Sequence, residues 1–297
     1  NTQMNLSKRS ETVAGYVFLL PWIVGFTVFL LLPMFGAVAL SLFKWNGIAT
    51  MKFRGLKNYS KAFGDKDFWQ SLKVTAVFVF SALPIRMVVA LCLALLVRSL
   101  TRFKKAFSAI IYVPAIIPGV AMAMLFTRIL NPTAGLINRA LSVVGIQGPQ
   151  WLFSEDWALP GLILMFIWQS GAAMILYLVG LETIPKALLE SAAIDGANAR
   201  RRFFHIVLPL LTPIILYNLI VGIIGNFQYF APVFVMTGGG PNNATLFYVF
   251  NVYRTAFQYF ELGYGAALSV ILFALIGGLT VLAFRSSRSW VFYSGGD

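Results

Sequence analysis

Polar and aromatic side chains that could contact a solute interrupt two otherwise apolar stretches of the chain. They are Trp168, Gln169, Ser170, Asn226, Gln228 and Tyr229. Amide side chains both donate and accept hydrogen bonds, which a hydroxyl-rich solute requires, and aromatic rings offer flat apolar faces. The alternative is that each group hydrogen-bonds to a neighbouring helix, a common way of holding membrane helices together. For a single residue both roles stay open, and the cluster as a whole favours a solute pathway.

A single cation, Arg86, lies within the apolar stretch 74–97. A charge near the middle of a bilayer costs about 2.5 kcal/mol or more, so Arg86 must face a partner, a wet cavity or an acidic ligand. One interpretation is an ion pair to another subunit, or a side chain that extends to water. The other is that Arg86 and the cations of 44–73 favour an anionic solute.

The composition indicates which elements must hold these residues. The chain has 297 residues, 59% of them hydrophobic and 11% charged, whereas soluble domains carry about 25% charged residues. These values exclude a cytosolic enzyme, a disordered chain and a secreted disulfide scaffold, and they indicate a polytopic membrane protein. The net charge of +13 fits basic loops beside apolar spans. Cys92 and His205 are each the only residue of their type, so no internal disulfide forms and a histidine-built metal site is disfavoured.

Stretches without charge mark the membrane spans, because a helix crosses the hydrocarbon core with about 20 apolar residues. The sequence therefore predicts an all-α integral membrane protein in which residues 1–297 form one domain with six transmembrane helices. The predicted spans are 13–43, 74–97, 106–128, 157–181, 207–236 and 262–284. The fifth span ends near Met236, since the glycines and proline at 238–241 cannot continue a helix or face lipid. The basic residues of 98–105 favour cytoplasmic termini, which makes 44–73, 129–156 and 237–261 external loops.

The predicted cytoplasmic connection 182–208 has the features of a docking element. Pro185 suits the first turn of a helix, and Gly196 suits the left-handed residue that ends it. Asn198 can cap a second short helix from Ala199 to Ile206. Such a compact helix–glycine–helix unit could insert into the groove of a partner. The alternative is an interfacial amphipathic helix that only reverses the chain direction.

The residues of this connection resemble the EAA loop of permease subunits in binding-protein-dependent ABC importers. The family pattern is Glu-Ala-Ala, three residues, Gly, nine residues and Ile-x-Leu-Pro. Here Glu190, Gly196 and Ile206–Pro209 keep that spacing, and Ser191 is the one departure. The variant Ala-Ile-Asp-Gly-Ala is similar to the carbohydrate branch, typified by the maltose and glycerol-phosphate permeases. The segments Leu19-Leu20-Pro21, Phe53-Arg54-Gly55-Leu56-Lys57-Asn58-Tyr59 and Thr237-Gly238-Gly239-Gly240-Pro241 also resemble that branch.

The resemblance implies a type I ABC importer permease fold whose EAA segment is the coupling helix that docks in a cytoplasmic ATPase. The residues implied in this contact are Glu190, Ser191, Ala192, Ala193, Asp195 and Gly196. Glu190 would pair with a basic residue of the ATPase, and Gly196 would make the bend. The implied partners are a second homologous permease in a heterodimer, two ATPase subunits, an extracytoplasmic solute-binding protein and the bilayer, with no nucleic acid.

This chain is expected to bind no cofactor or metal and to contain no catalytic residue. It lacks the Gly-x-x-x-x-Gly-Lys-Ser/Thr loop that cradles nucleotide phosphates, so ATP and Mg²⁺ would be held by the separate ATPase. The resemblance to the maltose permease also puts the residues after Trp168, and Asn226 through Tyr229, where sugar contacts lie.

The predicted function is the permease subunit of an ATP-driven importer in the bacterial inner membrane, with both termini cytoplasmic, which takes up a carbohydrate by alternating access. The solute is expected to be an oligosaccharide, and the cations are compatible with an acidic one such as alginate. An ABC permease for a phosphate ester or another non-sugar solute is the alternative. An ATP-independent secondary transporter is disfavoured, because none of the ten acidic residues lies centrally in a predicted span.

Overall fold

The computed structural model describes residues 2–48 and 50–292, with side chains described from residue 14 onward. The helices are α1 (Thr2–Phe26), α2 (Leu32–Leu40), α3 (Lys57–Gly64), α4 (Lys66–Ser99), α5 (Lys104–Ile116), α6 (Gly119–Ile129), α7 (Leu136–Val143), α8 (Glu155–Trp168), α9 (Gly171–Thr183), α10 (Lys186–Ile194), α11 (Ala199–Arg202), α12 (Leu208–Phe227), α13 (Ala231–Met236), α14 (Tyr248–Tyr253) and α15 (Leu262–Ser287). Two short strands, β1 (Phe43–Lys44) and β2 (Lys52–Phe53), form a hairpin, and Trp151–Phe153 is a 3-10 turn. The described chain is thus helical apart from this hairpin and its loops.

Within residues 2–48 and 50–292, four helical stretches are long and apolar enough to cross a membrane, and two bent pairs bring the number to six if each pair is one span. The four are Ala14–Leu40, Lys66–Ser99, Ala199–Phe227 and Leu262–Ser287. The pairs are α5 with α6, bent by 98°, and α8 with α9, bent by 43°. The bend between α5 and α6 follows from Pro118, because a proline forces the preceding residue, Ile117, into an extended conformation.

The fifth predicted span, 207–236, differs from the structure at both ends. Its helix begins earlier, at Ala199, because a π-helical turn at Phe203–Val207 joins α11 to α12 and accommodates Pro209 without a break. The separate short helix predicted over 199–206 is therefore the start of this long helix. At the other end the helix stops at Phe227, since Pro232 has no amide hydrogen to donate one turn back.

The chain forms two compact units. The first comprises Asn1–Gly64 and Val252–Ile271, and the second comprises Asp65–Asn251 and Leu272–Asp297. In the first unit the apolar side chains of the continuous helical stretch Ala14–Leu40 are exposed, Phe18 by 85% and Phe29 by 83%, as suits contact with lipid or another subunit.

The core of the second unit forms where α4, α9 and α12 pack together. Ala90 and Ala94 of α4 are fully buried against Met174 and Tyr177 of α9, because small side chains let membrane helices approach closely. A Cβ added at Gly222 of α12 would lie 2.3 Å from a methyl carbon of Leu83. These close approaches hold α4, α9 and α12 together, and the three helices line a cleft.

Candidate solute pathway and coupling segment

A cleft of about 290 Å³ opens between α4, α9 and α12 of the second unit. Its lining residues are Leu83, Arg86, Met87, Ala172, Ala173, Leu176, Tyr217, Asn218, Val221, Gly222, Gly225 and Asn226. The lining is mostly apolar and carries one cation and two amides. Such a cleft can orient a polar solute through a few hydrogen bonds while its walls exclude water.

Arg86 is held in this cleft by two contacts of its guanidinium group. Its Nη2 donates a hydrogen bond of 3.2 Å to the carbonyl oxygen of Gln169, at the bend between α8 and α9. Its Cζ lies 4.5 Å from the centre of the Phe166 ring, within the range of a cation–π contact. Neither contact neutralises the charge, so the positive charge of Arg86 remains available to a solute.

Two buried polar atoms near the cleft lack partners. Within the described part of the chain, neither Nε of Arg86 nor the hydroxyl oxygen of Tyr229 forms a hydrogen bond. The Tyr229 ring stacks on Phe78 with centroids 4.9 Å apart and meets Phe166 edge-on at 6.1 Å. Buried polar groups are nearly always paired, so these two atoms are exceptions next to the cleft.

The structure places only some of the six polar and aromatic candidates at the cleft. Asn226 is buried and lines the cleft beside Arg86, and Gln169 contributes its backbone carbonyl. Ser170 is buried, but its hydroxyl donates to the carbonyl of Ile167 in the preceding turn. Trp168 is 60% exposed and contacts Phe126 edge-on, and Gln228 is exposed at the end of α12. Neither Trp168 nor Gln228 lines the cleft, because the helix faces that carry them point elsewhere.

Three further residues belong to this site, namely Asn218, Tyr217 and Phe166. Asn218, Gly222 and Asn226 recur at intervals of four along α12, which places them on one helix face. That spacing was the available sequence signal for Asn218. Phe166 has no such signal, because an aromatic residue in an apolar span is typical of core packing.

The segment with the EAA pattern has the predicted helix–glycine–helix form. α10 ends at a Schellman motif, in which Ala197 N donates to Ala192 O (2.9 Å) and Gly196 N donates to Ala193 O (3.1 Å). Gly196 has φ +81°, a conformation that glycine adopts without strain. Asn198 caps the next helix, its Oδ1 accepting from Arg201 N at 2.8 Å.

The exposed side of this segment combines two acids with small and apolar residues. Glu190, Ser191, Ala193 and Asp195 are exposed, and Ala192 is half-buried. In the part of the chain that the structure describes, Glu190 forms no ion pair. Ile194 is 87% exposed, although an isoleucine usually gains from burial. The exposed Ile194 offers an apolar contact, and Glu190 offers a charge, to a protein that covers this surface.

The described residues contain no cluster of three or more His, Cys, Asp and Glu side chains that could hold a metal ion. That this chain binds no cofactor stays a prediction.

Comparisons with known proteins cover nearly the whole chain. The family model described as "Binding-protein-dependent transport system inner membrane component" matches residues 86–288. The probable ABC transporter permease protein YesP of Bacillus subtilis (strain 168) is 38% identical over 97% of this chain and 94% of its own length. The trehalose/maltose transport system permease protein MalF of Thermococcus litoralis is 32% identical over 95% and 96%.

A solved structure has the same fold. The chain superposes with a TM-score of 0.83 on a chain from the crystal structure of a bacterial ABC transporter involved in the import of the acidic polysaccharide alginate. The two chains are 25% identical, and the match covers 97% of this chain and 99% of the other. The predicted all-α permease fold of a type I importer is therefore confirmed.

Proposed function

The chain belongs to the family of binding-protein-dependent transport system inner membrane components, and from that premise we propose that it carries an oligosaccharide through a bacterial inner membrane. As a permease component it is not an enzyme, and nucleotide is hydrolysed by a separate ATPase. The observation that carries the proposal is the cleft between α4, α9 and α12, where Arg86, Asn218 and Asn226 present hydrogen-bonding groups between membrane-spanning helices. Amides that donate and accept suit the hydroxyl groups of a sugar.

The assembly in this proposal contains a second homologous permease, two ATPase subunits and an external solute-binding protein. The loaded binding protein docks outside, ATP closes the ATPases, and the released solute passes through the cleft by alternating access. The exposed face of α10 around Glu190 is gripped by an ATPase subunit. Because Arg202 Nη1 donates to Leu189 O (3.4 Å), movement of α10 is transmitted to the helix that continues into α12 and reaches Asn226.

The proposed orientation places both termini and the segment 182–208 in the cytoplasm. The basic residues Arg200, Arg201 and Arg202 at the start of the fifth span support this orientation, since cytoplasmic flanks carry an excess of cations. The β1–β2 hairpin then faces outward.

The proposed solute is acidic. Arg86 is half-buried, and no carboxylate of the described chain neutralises it in the cleft. The carboxylate of a uronic-acid oligomer such as alginate would supply the missing partner, and a charged pair of this kind forms a strong hydrogen bond. A phosphate ester would satisfy the same cation, so the test must include one.

The test is ATP-dependent uptake into proteoliposomes that contain the complete transporter and its binding protein. We expect uptake of labelled oligosaccharides, with uronic-acid oligomers preferred over neutral ones of equal length. Uptake of a phosphate ester and of no saccharide would contradict the proposal. Uptake that continues without ATP would contradict the importer mechanism.

A further inference from the structure

A second pocket, of about 410 Å³, lies in the first unit between the β1–β2 hairpin, α3 and the start of α15. It is lined by Lys44, Trp45, Asn46, Thr50, Lys52, Arg54, Asn58, Lys61, Phe260, Glu261 and Tyr264. Four of these side chains are cationic and one is acidic. The pocket thus carries an excess of positive charge within a small volume that is open to solvent on one side.

Backbone contacts fix the walls of this pocket. Asn58 is buried, and its Nδ2 donates to the carbonyl oxygens of Ser41 (2.7 Å) and Phe43 (2.9 Å). Gly263 N donates to Trp45 O at 3.2 Å, and a Cβ at Gly263 would lie only 1.9 Å from Phe43 O. The hairpin is therefore held against both helices, and the pocket is formed before any ligand arrives.

The cations that line the pocket lie close enough to repel one another. Lys44 and Lys52 stand directly opposite each other in the antiparallel ladder, and like charges in that position are destabilising. The acid of the pocket, Glu261, is already paired with Lys61. Lys44, Lys52 and Arg54 form no ion pair with the residues that the structure describes. An anion between them would relieve the repulsion.

The remaining lining suits a sugar ring. Lys61 Nζ lies 4.1 Å from the centre of the Tyr264 ring, and Trp45 and Phe260 add aromatic surface. Asn46 and Thr50 contribute an amide and a hydroxyl, which can pair with sugar hydroxyls. The volume is within the range of about 300–1,000 Å³ that small-molecule sites occupy. An acidic surface of a protein would need the cations but would not need a concave lining of aromatic and amide side chains.

We propose that this pocket binds a carboxylated sugar unit of an acidic oligosaccharide, with Lys44, Lys52 and Arg54 contacting the carboxylate. The assignment deepens the proposed function, because it rests on the chain transporting an oligosaccharide. It adds a site of the first unit that acts separately from the cleft around Arg86. In the proposed orientation the pocket faces the side from which the solute arrives.

The test is calorimetric titration of the complete transporter in lipid nanodiscs, without the binding protein. The probes are trigalacturonate and its carboxyl-reduced form, which is neutral and otherwise identical. The variants are Lys52→Gln and Arg54→Gln, and Arg139→Gln on the exposed face of α7 is the matched control. We expect trigalacturonate to bind and each pocket variant to weaken binding by about tenfold, as loss of one charge-assisted hydrogen bond predicts. The affinity for the carboxyl-reduced probe should not change in the pocket variants, and Arg139→Gln should leave the affinity for trigalacturonate unchanged.

A second readout separates binding from a structural role. Lys52→Gln removes the repulsion with Lys44, so without ligand this variant should unfold at the same temperature as the parent or higher. A lower unfolding temperature, equal affinity for both probes, or unchanged trigalacturonate affinity in the variants would overturn the proposal. Loss of binding-protein docking alone, with trigalacturonate affinity intact, would assign the pocket to a protein partner and also overturn it.

Failure of this proposal is distinguishable from failure of the proposed function. Oligosaccharide uptake without trigalacturonate binding would remove the pocket and leave the transporter. Trigalacturonate binding that follows the expected variant pattern, without uptake of any saccharide, would support the pocket and remove the oligosaccharide importer.

Discussion

Replacing Arg86 by methionine should separate solute recognition from folding. In the native protein Arg86 makes one hydrogen bond, to Gln169 O, and one cation–π contact, with Phe166. These contribute about 1.5–3 kcal/mol for a hydrogen bond from a charged donor and about 0.5–2 kcal/mol for the ring contact. The charge itself costs about 2.5–3.5 kcal/mol inside a membrane. Since the two sides largely cancel, Arg86→Met should change the free energy of unfolding by no more than about 2.5 kcal/mol in either direction.

The effect on transport of an acidic solute should be much larger. Loss of a charge-assisted hydrogen bond to a carboxylate is worth about 1.5–3 kcal/mol, or roughly 10- to 150-fold in kcat/KM for uptake. A neutral oligosaccharide makes no such pair, so its uptake should fall by less than about threefold by the same reasoning.

The assay compares uptake of trigalacturonate and its carboxyl-reduced form in proteoliposomes, with thermal unfolding measured in parallel. Arg86→Lys, which keeps the charge, should retain part of the preference for the acid, and Arg139→Met is the control for loss of a cation elsewhere. Equal loss of uptake for both solutes, or a folding defect of several kcal/mol in Arg86→Met, would show that Arg86 has a structural role and would refute this reasoning.

Further predictions concern substitutions at Glu190, Gly196 and Gly171. Glu190→Ala should leave the protein inserted and the ATPase active but uncouple hydrolysis from uptake; wild-type uptake per ATP would contradict the coupling role. Gly196→Val should lower coupling and cost about 1–2 kcal/mol, because a left-handed φ strains a β-branched residue, whereas Gly196→Asn should retain most activity, because asparagine tolerates that conformation. An equal effect of both substitutions would argue against backbone strain. In Gly171→Ala the new Cβ would lie 2.2 Å from Ile111 O, so stability should fall by about 1–3 kcal/mol. Gly277→Ala meets no neighbour within 4 Å and is the control; similar unfolding temperatures for the two alanine variants would contradict the close approach of α9 and α5.

The parts of the structure that the sequence predicts best depend on neighbours along the chain. The glycine corner at Gly196 and the cap at Asn198 need only residues within five positions, so their spacing predicts them directly. The resemblance to ABC permeases, carried by the Glu190–Gly196 spacing, is confirmed by the family match.

The parts that the sequence predicts poorly depend on distant residues. The partners of Arg86 come from α8 and the bend that follows it. A span predicted from a charge-free stretch does not show which of its faces meets Arg86. Trp168 and Asn226 both interrupt apolar stretches, yet only Asn226 lines the cleft, because side-chain direction depends on how the helices pack. Helix α12 ends at Phe227 because of Pro232. A hydropathy profile does not show this local cause, since the residues on both sides are apolar.

The most direct measurement of the central claim is a crosslink between the EAA segment and the ATPase. Cys92 is the single cysteine of the chain, so Cys92→Ser with Ser191→Cys places one thiol on the exposed side of α10. A bifunctional thiol reagent applied to the assembled transporter should join Ser191→Cys to an ATPase subunit, in a yield that changes when ATP binds. Labelling of that thiol by lipid-soluble reagents alone, with no ATPase adduct in any nucleotide state, would contradict the account.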